Sequence, residues 1–157
     1  MTNKELLLID LSSRLPYGVK GTVEIEVSTG DYSIESGHLL FMEEEVDVEL
    51  LGINKDTEEI EVYPLNKNVD LSEYDYVIND FIQYLRPMSS MTEEEKEEYI
   101  NIKQGECNGC VLTGKGDPNT EFLLVDFFNA HHFDYRGLIE KGLVHEAPEG
   151  MYNIKEQ

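Results

Sequence analysis

Residues 19–27 read Val-Lys-Gly-Thr-Val-Glu-Ile-Glu-Val, and this stretch decides the fold. Together with Tyr17, its bulky apolar residues occupy one parity, whereas its charged and hydroxyl residues occupy the other. Strict alternation of this kind predicts a β-strand with one face buried and the other in water. The stretch is therefore the first strand of a predicted antiparallel sheet that exposes a charged face.

The same pattern continues downstream. Turn residues at 28–31 lead into a predicted second strand over 32–42, and a third strand follows over 46–50 with acidic residues on its outer parity. A polar turn at 54–57 precedes a fourth strand around residues 60–62. Four short antiparallel strands predict a strongly bent sheet or a small barrel of SH3-like or OB-like type.

A helix is predicted in front of the sheet. Thr2 and Glu5 have the spacing of a capping box, in which each side chain satisfies a free backbone donor. Pro16 ends the helix, whose apolar face carries Leu7, Leu8, Leu11 and Leu15. We therefore predict an α+β protein whose first part, residues 1–87, is an N-terminal helix on a small antiparallel sheet or barrel.

The second predicted part, residues 88–157, is helical and docks on the first. Residues 74–85 before it fit either a helix or a strand, and Pro87 marks the boundary. Thr92 and Glu95 form a second capping box that predicts a helix over 92–104.

The remaining helices are predicted from apolar and capping residues. A further helix, over 122–130, is apolar on nearly all sides and predicts a joint core of Phe122, Leu123, Phe127 and Phe128. Asp134 has the position of a cap for a last short helix over 135–141.

The charge of the chain bounds its partners. Its 157 residues include 12 basic and 33 acidic ones, a net charge of −21. Such a charge argues against unaided binding to nucleic acid or to an anionic membrane. No run of apolar residues reaches the length of a membrane span, and no secretory signal is evident, so we expect a cytoplasmic protein.

Acidic residues are concentrated on the predicted outer face of the sheet. They repeat every second residue, about 6.6–6.8 Å along a strand, at Glu43, Glu45, Asp47 and Glu49, and they recur on the next strand at Glu59 and Glu61. Glu24 and Glu26 have the matching parity on the first strand. One interpretation is a solvated sheet face. The other is a ladder of carboxylates that imitates DNA phosphates and binds a basic protein surface.

Cys107 and Cys110 have the C-x-x-C spacing of a zinc site. A closed site needs four ligands, and the candidates for the remaining ones are the late histidines His131, His132 and His145. His131 and His132 are adjacent, however, and adjacent side chains on a helix point about 100° apart. The alternative is a loop with two incidental thiols and no cofactor. Acid–base chemistry at His131, His132 and Asp134 is a further hypothesis, but no nucleophile motif accompanies these residues.

Three stretches together carry a resemblance. They are Leu-Pro-Tyr-Gly-Val at 15–19, Tyr-Leu-Arg-Pro-Met-Ser-Ser-Met-Thr-Glu-Glu-Glu at 84–95, and His-His-Phe-Asp-Tyr-Arg-Gly-Leu-Ile at 131–139. With them, the chain resembles, from end to end, a family of small uncharacterised acidic proteins of gut bacteria and their phages or mobile elements. The resemblance implies an accessory role in such a setting and lends no catalytic residues.

The sequence thus predicts a non-enzymatic accessory or interaction protein whose partner is a protein with a basic surface, with no direct contact to nucleic acid or membrane. Its sharper form is an acidic decoy for a partner that handles nucleic acid. The competing hypothesis is a small metal-binding protein or hydrolase that uses Cys107, Cys110 and the late histidines. The sequence leaves the oligomeric state open.

Overall fold

The computed structural model describes residues 1–104 and 118–152. Within these ranges the chain forms three α-helices and six β-strands, which confirms the predicted α+β class. The chain divides into two compact units, Met1–Gln83 and Tyr84–Gln157. Cys107 and Cys110, the predicted zinc ligands, lie outside the described residues.

The first unit begins with helix α1, Asn3–Arg14, which confirms the predicted N-terminal helix. The Thr2 hydroxyl accepts a hydrogen bond from the Glu5 backbone at 3.2 Å, and the Glu5 carboxylate accepts one from the Thr2 backbone at 2.7 Å. A single 3-10 turn, Leu15–Tyr17, follows around Pro16. The chain then enters the sheet through Gly18 in the left-handed region, where glycine adds no steric cost.

The sheet of the first unit is a curled half-barrel. Its strands run in the order β4-β3-β2-β1-β5, all antiparallel, with the bounds β1 Lys20–Tyr32, β2 Leu39–Ile53, β3 Glu59–Pro64, β4 Tyr76–Val77 and β5 Ile82–Leu85. A 3-10 turn, Ile78–Asp80, carries the chain from β4 to β5, which returns beside β1. The ambiguous stretch 74–85 is thus strand and turn, and the predicted bent sheet is confirmed.

The first two strands are longer than predicted. The expected turn at 28–31 is wrong, because β1 continues through Gly30 to Tyr32 and the connection lies at residues 33–38. Gly30 has a φ of 78° inside a register shift between β1 and β2, so its turn chemistry produces an irregularity within the strand pair. The predicted second strand, 32–42, is therefore wrong over 33–38, which form the connection. Its residues 39–42 are continuous with the predicted third strand in β2.

The buried face of the sheet follows the predicted parity. The strands contribute Val23, Val46, Val48 and Leu50 to this face. These side chains pack with Leu11 of α1 and with four residues from later in the unit, Ile60, Tyr76, Ile78 and Phe81. Gly21 lies where β1 and β5 approach closely, since a Cβ atom there would sit 2.5 Å from the Ile82 carbonyl oxygen. The charged parity is therefore the outer face, although Thr22, which shares this parity, is only 3% exposed.

The second unit contains helices α2, Glu93–Gln104, and α3, Pro118–Ala130, and a short strand β6, His145–Glu146. β6 pairs in parallel with the last two residues of β5, Tyr84 and Leu85. The buried core of the two helices is formed by Ile102, Phe127 and Phe133. None of the helices in the described ranges combines the length and hydrophobicity that crossing a bilayer requires.

Two predictions for the second unit are wrong. Phe122, assigned to the core, is 70% exposed, because α3 buries one stripe that contains Leu123 and Phe127 and leaves the opposite side in water. The helix predicted over 135–141 is a series of turns. Asp134 accepts hydrogen bonds from the backbones of Leu138 and Ile139, both at 2.8 Å, and Gly137 has a φ of 67°, which interrupts a helix.

Candidate functional site

The outer face of β1 and β2 brings acidic side chains into direct opposition. Glu24 pairs in register with Glu45, and Glu26 pairs with Glu43. All of these residues are exposed. Neighbouring strands place opposed Cβ atoms about 4.5–5.5 Å apart, so four carboxylates form a compact two-by-two array. We call Glu24, Glu26, Glu43 and Glu45 the acidic array.

The rest of the predicted acidic ladder has different surroundings. Asp47 faces Thr22 across the strand pair, and half-buried Glu49 faces Lys20. On the other side of β2, Glu49 also pairs with Tyr63 of β3, and Glu61 pairs with Gly52 beyond an irregularity in the register. The predicted common face is therefore present, but its residues do not form one cluster.

Glu59 and Glu61 lie at the far end of that face. Glu61 is opposite Gly52, seven residues along β2 from Glu45, which corresponds to roughly 23 Å of strand. The Glu59 carboxylate accepts a hydrogen bond from the Thr57 hydroxyl at 2.8 Å. These two residues are thus separate from the acidic array.

A groove of about 530 Å³ runs beside β1 in the same unit. Its lining includes the acidic array and two further carboxylates from the chain that returns to β5, Asp75 and Asp80. Among the described residues that line it, there is no Lys, Arg or His. The groove therefore concentrates negative charge in a concave surface, where low-dielectric walls strengthen an electrostatic field.

Two stacked tyrosines form one side of this groove. The rings of Tyr74 and Tyr76 have centroids 5.9 Å apart and an interplanar angle of 18°. The Tyr74 hydroxyl donates a hydrogen bond to the Glu26 carbonyl oxygen at 3.0 Å. Tyr76 is 7% exposed, and its hydroxyl oxygen is buried with no hydrogen-bond partner among the described residues. Burial, assisted by Tyr74 and Asp80, raises the pKa of Tyr76 above its ordinary value.

Beyond the acidic array, the β1–β2 hairpin exposes apolar side chains. Five large ones are at least 44% exposed: Tyr32, Ile34, Leu40, Phe41 and Met42. Among the described residues, no further strand pairs with either strand there, because β5 pairs with β1 only at Gly21 and Thr22, and β3 pairs with β2 only from Val48 onward. The acidic array therefore lies between the barrel and an apolar hairpin end.

In the second unit, Glu95 gathers the titratable residues. Its carboxylate accepts hydrogen bonds from the Arg86 guanidinium at 2.7 and 2.9 Å and from the Thr92 backbone at 2.8 Å. His131 Nδ1 lies 3.0 Å from the same carboxylate. Burial alone would raise the pKa of Glu95, but these hydrogen bonds outweigh burial and lower the pKa to about 2.

The late histidines do not converge. His131 lies beside Glu95, His132 stacks on Tyr152 with ring centroids 3.7 Å apart, and His145 lies against Tyr84. Asp134, the suggested acid–base partner, instead holds a turn through two backbone amides. In residues 1–104 and 118–152, no three His, Cys, Asp or Glu side chains are placed to hold a metal ion. The zinc hypothesis for Cys107 and Cys110 remains a prediction.

One buried polar network was missed by sequence reasoning. Asp10 and Arg14 are fully buried and joined by hydrogen bonds of 2.8 and 3.2 Å, and the Gln83 amide donates to Asp10 at 2.9 Å. The spacing of four residues between Asp10 and Arg14 is the available signal, but the same spacing occurs on exposed helix faces. The network joins helix α1 to β5 and so supports the fold.

Comparisons of the chain with protein-family models, with curated proteins and with solved structures find no match. The function is therefore inferred from the geometry of the acidic array, the groove and the hairpin.

Proposed function

We propose that the chain is a non-enzymatic interaction protein of the cytoplasm that binds a protein partner through the acidic array and competes with nucleic acid for the partner's basic surface. The observation that carries the proposal is the direct opposition of Glu24 to Glu45 and of Glu26 to Glu43. The resemblance noted above supports an accessory role in a phage or a mobile element.

The opposition matters because like charges directly across a strand pair destabilise the pair. A face whose task is hydration alone is served equally well by mixed charges, and interspersed signs are the usual solution on stable surfaces. An array of four carboxylates at the centre of the longest strand pair therefore opposes stability. Binding of cationic side chains relieves this repulsion. A role in binding a basic partner therefore accounts for the array, whereas a role in solvation alone does not.

The spacing of the array suits a surface that binds nucleic acid. Carboxylates two residues apart on one strand are about 6.6–6.8 Å apart. The phosphates of duplex DNA follow one another at about 3.4 Å of axis on each strand, so each carboxylate step corresponds to roughly two phosphates. Lys and Arg side chains arranged for phosphates can therefore reach the carboxylates of the array.

The proposal is tested by capture from a bacterial lysate on the immobilised chain, with elution by a short DNA duplex and identification by mass spectrometry. The key variant is Glu43→Lys with Glu45→Lys, which reverses the β2 half of the array. Asp47 and Glu49 are left unchanged because they face Thr22 and Lys20. The matched control is Glu35→Lys with Glu97→Lys, an equal charge change at exposed residues outside the array.

We expect the DNA duplex to elute basic, nucleic-acid-binding proteins from the wild type and from the control, and none from the array variant. Raising the salt concentration should weaken the capture, since screening acts strongly on exposed charges. Equal capture by the array variant, or capture that DNA cannot displace, would contradict the proposal.

A further inference from the structure

We infer that the groove beside β1 is a binding site for an arginine side chain that a partner protein presents. The inference rests on the proposed function, because it assigns the point at which the basic partner is anchored. It adds a specific pocket and a specific side chain to a surface that is otherwise defined by charge.

The groove is strongly acidic. The groove of about 530 Å³ is large enough for a long side chain, and six carboxylates belong to its lining, namely Glu24, Glu26, Glu43, Glu45, Asp75 and Asp80. A guanidinium has five donors in a planar fork and binds carboxylates in pairs. The groove therefore offers more acceptors than one cationic group can use, and a cation there reduces the repulsion within the acidic array.

Independently of the carboxylates, Tyr76 brings to the lining of the groove a buried hydroxyl that has no partner in the described part of the chain. Its side chain is more than nine-tenths buried, it lines the groove, and its hydroxyl oxygen has no hydrogen-bond partner among the described residues. A buried polar atom without a partner carries a free-energy cost that a donor can remove. Burial, with smaller contributions from Tyr74 and Asp80 in the same lining, raises the pKa of Tyr76 and so keeps its hydroxyl protonated.

The aromatic side of the groove favours arginine over lysine. Tyr74 and Tyr76 present a stacked aromatic wall, and the Tyr74 hydroxyl is held by the Glu26 carbonyl oxygen. A planar guanidinium stacks on such a wall while it hydrogen-bonds carboxylates at its edge, whereas an ammonium acts as a hydrated point charge.

The test uses two peptides of equal charge, octa-arginine and octa-lysine, titrated calorimetrically into the full chain. A cation–π and bidentate contact predicts that octa-arginine binds about two- to fivefold more tightly. Tyr76→Phe removes the hydroxyl alone and keeps the ring in the core. We expect this variant to remain folded, as judged by its circular dichroism melt, and to lower the arginine-to-lysine ratio toward one.

The carboxylates are tested with Glu26→Gln and Glu43→Gln together, which should weaken octa-arginine binding several-fold. The matched control, Glu35→Gln and Glu97→Gln, loses the same charge outside the groove and should bind nearly as well as the wild type. A ratio near one in the wild type, or equal losses in both double variants, overturns the arginine site.

A ratio near one in the wild type leaves the proposed function standing, because a general acidic surface attracts both peptides equally. Equal losses in both double variants would count against the acidic array as well. Failure of the proposed function has a different signature, namely that DNA displaces no captured protein from the wild type. Retention of the arginine-to-lysine ratio in Tyr76→Phe would remove the hydroxyl from the site. That outcome also overturns the inference, since the buried hydroxyl of Tyr76 is part of the proposed arginine site.

Discussion

Glu24 of β1 stands directly opposite Glu45 of β2, and the next outward pair along the hairpin, Glu26 and Glu43, repeats the relationship. Two successive carboxylate pairs on one face oppose the association of the strands that carry them. The strand pair nevertheless extends past them to Tyr32 and Leu39. The repulsion between these carboxylates should therefore lower the free energy of unfolding by a measurable amount.

Glu43→Lys with Glu45→Lys should stabilise the chain, because each change turns a like-charge pair into an opposite-charge pair. We expect a gain of about 0.2–1 kcal/mol per pair in the free energy of unfolding. Urea denaturation at low salt measures it, and the control Glu35→Lys with Glu97→Lys should show a smaller change. A less stable array variant would mean that the carboxylates have stabilising contacts. A gain would also show that lost capture of partners does not result from unfolding.

Arg14→Met should be strongly destabilising, because it leaves Asp10 as a buried charge without its guanidinium. Breaking a buried ion pair from one side costs about 3–5 kcal/mol. The double variant Asp10→Leu with Arg14→Met should recover much of the loss, since both charges are then gone. A double-mutant cycle by chemical denaturation measures the coupling, and additive losses would argue against a buried pair.

Acid should destabilise the second unit through Glu95. Its pKa is lowered to about 2 in the folded chain, so folding stabilises the ionised form. The resulting contribution is fully present above the ordinary carboxyl pKa of about 4.3 and is lost as the pH falls toward 2. Glu95→Gln should remove this part of the acid dependence and lower stability at neutral pH by about 1.5–3 kcal/mol.

Stability measured from pH 7 to pH 2 compares this variant with Glu97→Gln, an exposed residue on the same helix. An identical acid profile in Glu95→Gln and in the wild type would show that the Arg86 and His131 contacts do not govern the acid response.

Gly21→Ala should destabilise the first unit. The added Cβ would lie 2.5 Å from both the Ile82 carbonyl oxygen and the Phe81 ring, so β5 or the ring must move. Overpacking of this kind costs about 1–3 kcal/mol. Thermal denaturation checks the loss, and Gly52→Ala is the control because its nearest neighbour would be 3.6 Å away. Equal effects of the two substitutions would argue against the close approach of β1 and β5.

Zinc content separates the interaction protein from the metal-dependent alternative. We expect purified chain to contain less than one equivalent of zinc and to melt at the same temperature with and without a chelator. Cys107→Ser with Cys110→Ser should then leave stability unchanged. Stoichiometric zinc whose removal unfolds the chain would favour the alternative, since structural zinc contributes directly to folding.

Local patterns predicted the elements that depend on neighbouring residues. The capping box at Thr2 and Glu5 identified α1, and alternation along β1 separated the buried Val23 from the exposed Glu24. Both signals arise within a few residues, because a helix turn and the pleat of a strand have short periods. The same reasoning failed at Gly30. A glycine there is compatible both with a turn that ends the strand and with an irregularity inside a longer strand, and the structure has the irregularity.

The candidate site was only half predictable. The parity of β1 and β2 identified an acidic outer face, but the register that opposes Glu24 to Glu45 depends on where the connection at 33–38 closes. The Tyr74–Tyr76 wall had no signal at all, since it reaches β1 only after the chain has returned from β3. Glu95 was recognised as a cap, whereas His131, 36 residues away, was not recognised as its partner.

The sequence by itself therefore determined the helix, the strand parities and the excess of negative charge, because these follow from residue chemistry at short period. Only the tertiary structure decided that four of the carboxylates form one array, that a groove with Tyr76 adjoins it, and that Asp10 and Arg14 are buried. These features depend on contacts between residues distant in the chain. These contacts form only when the sheet has curled and β5 has returned beside β1.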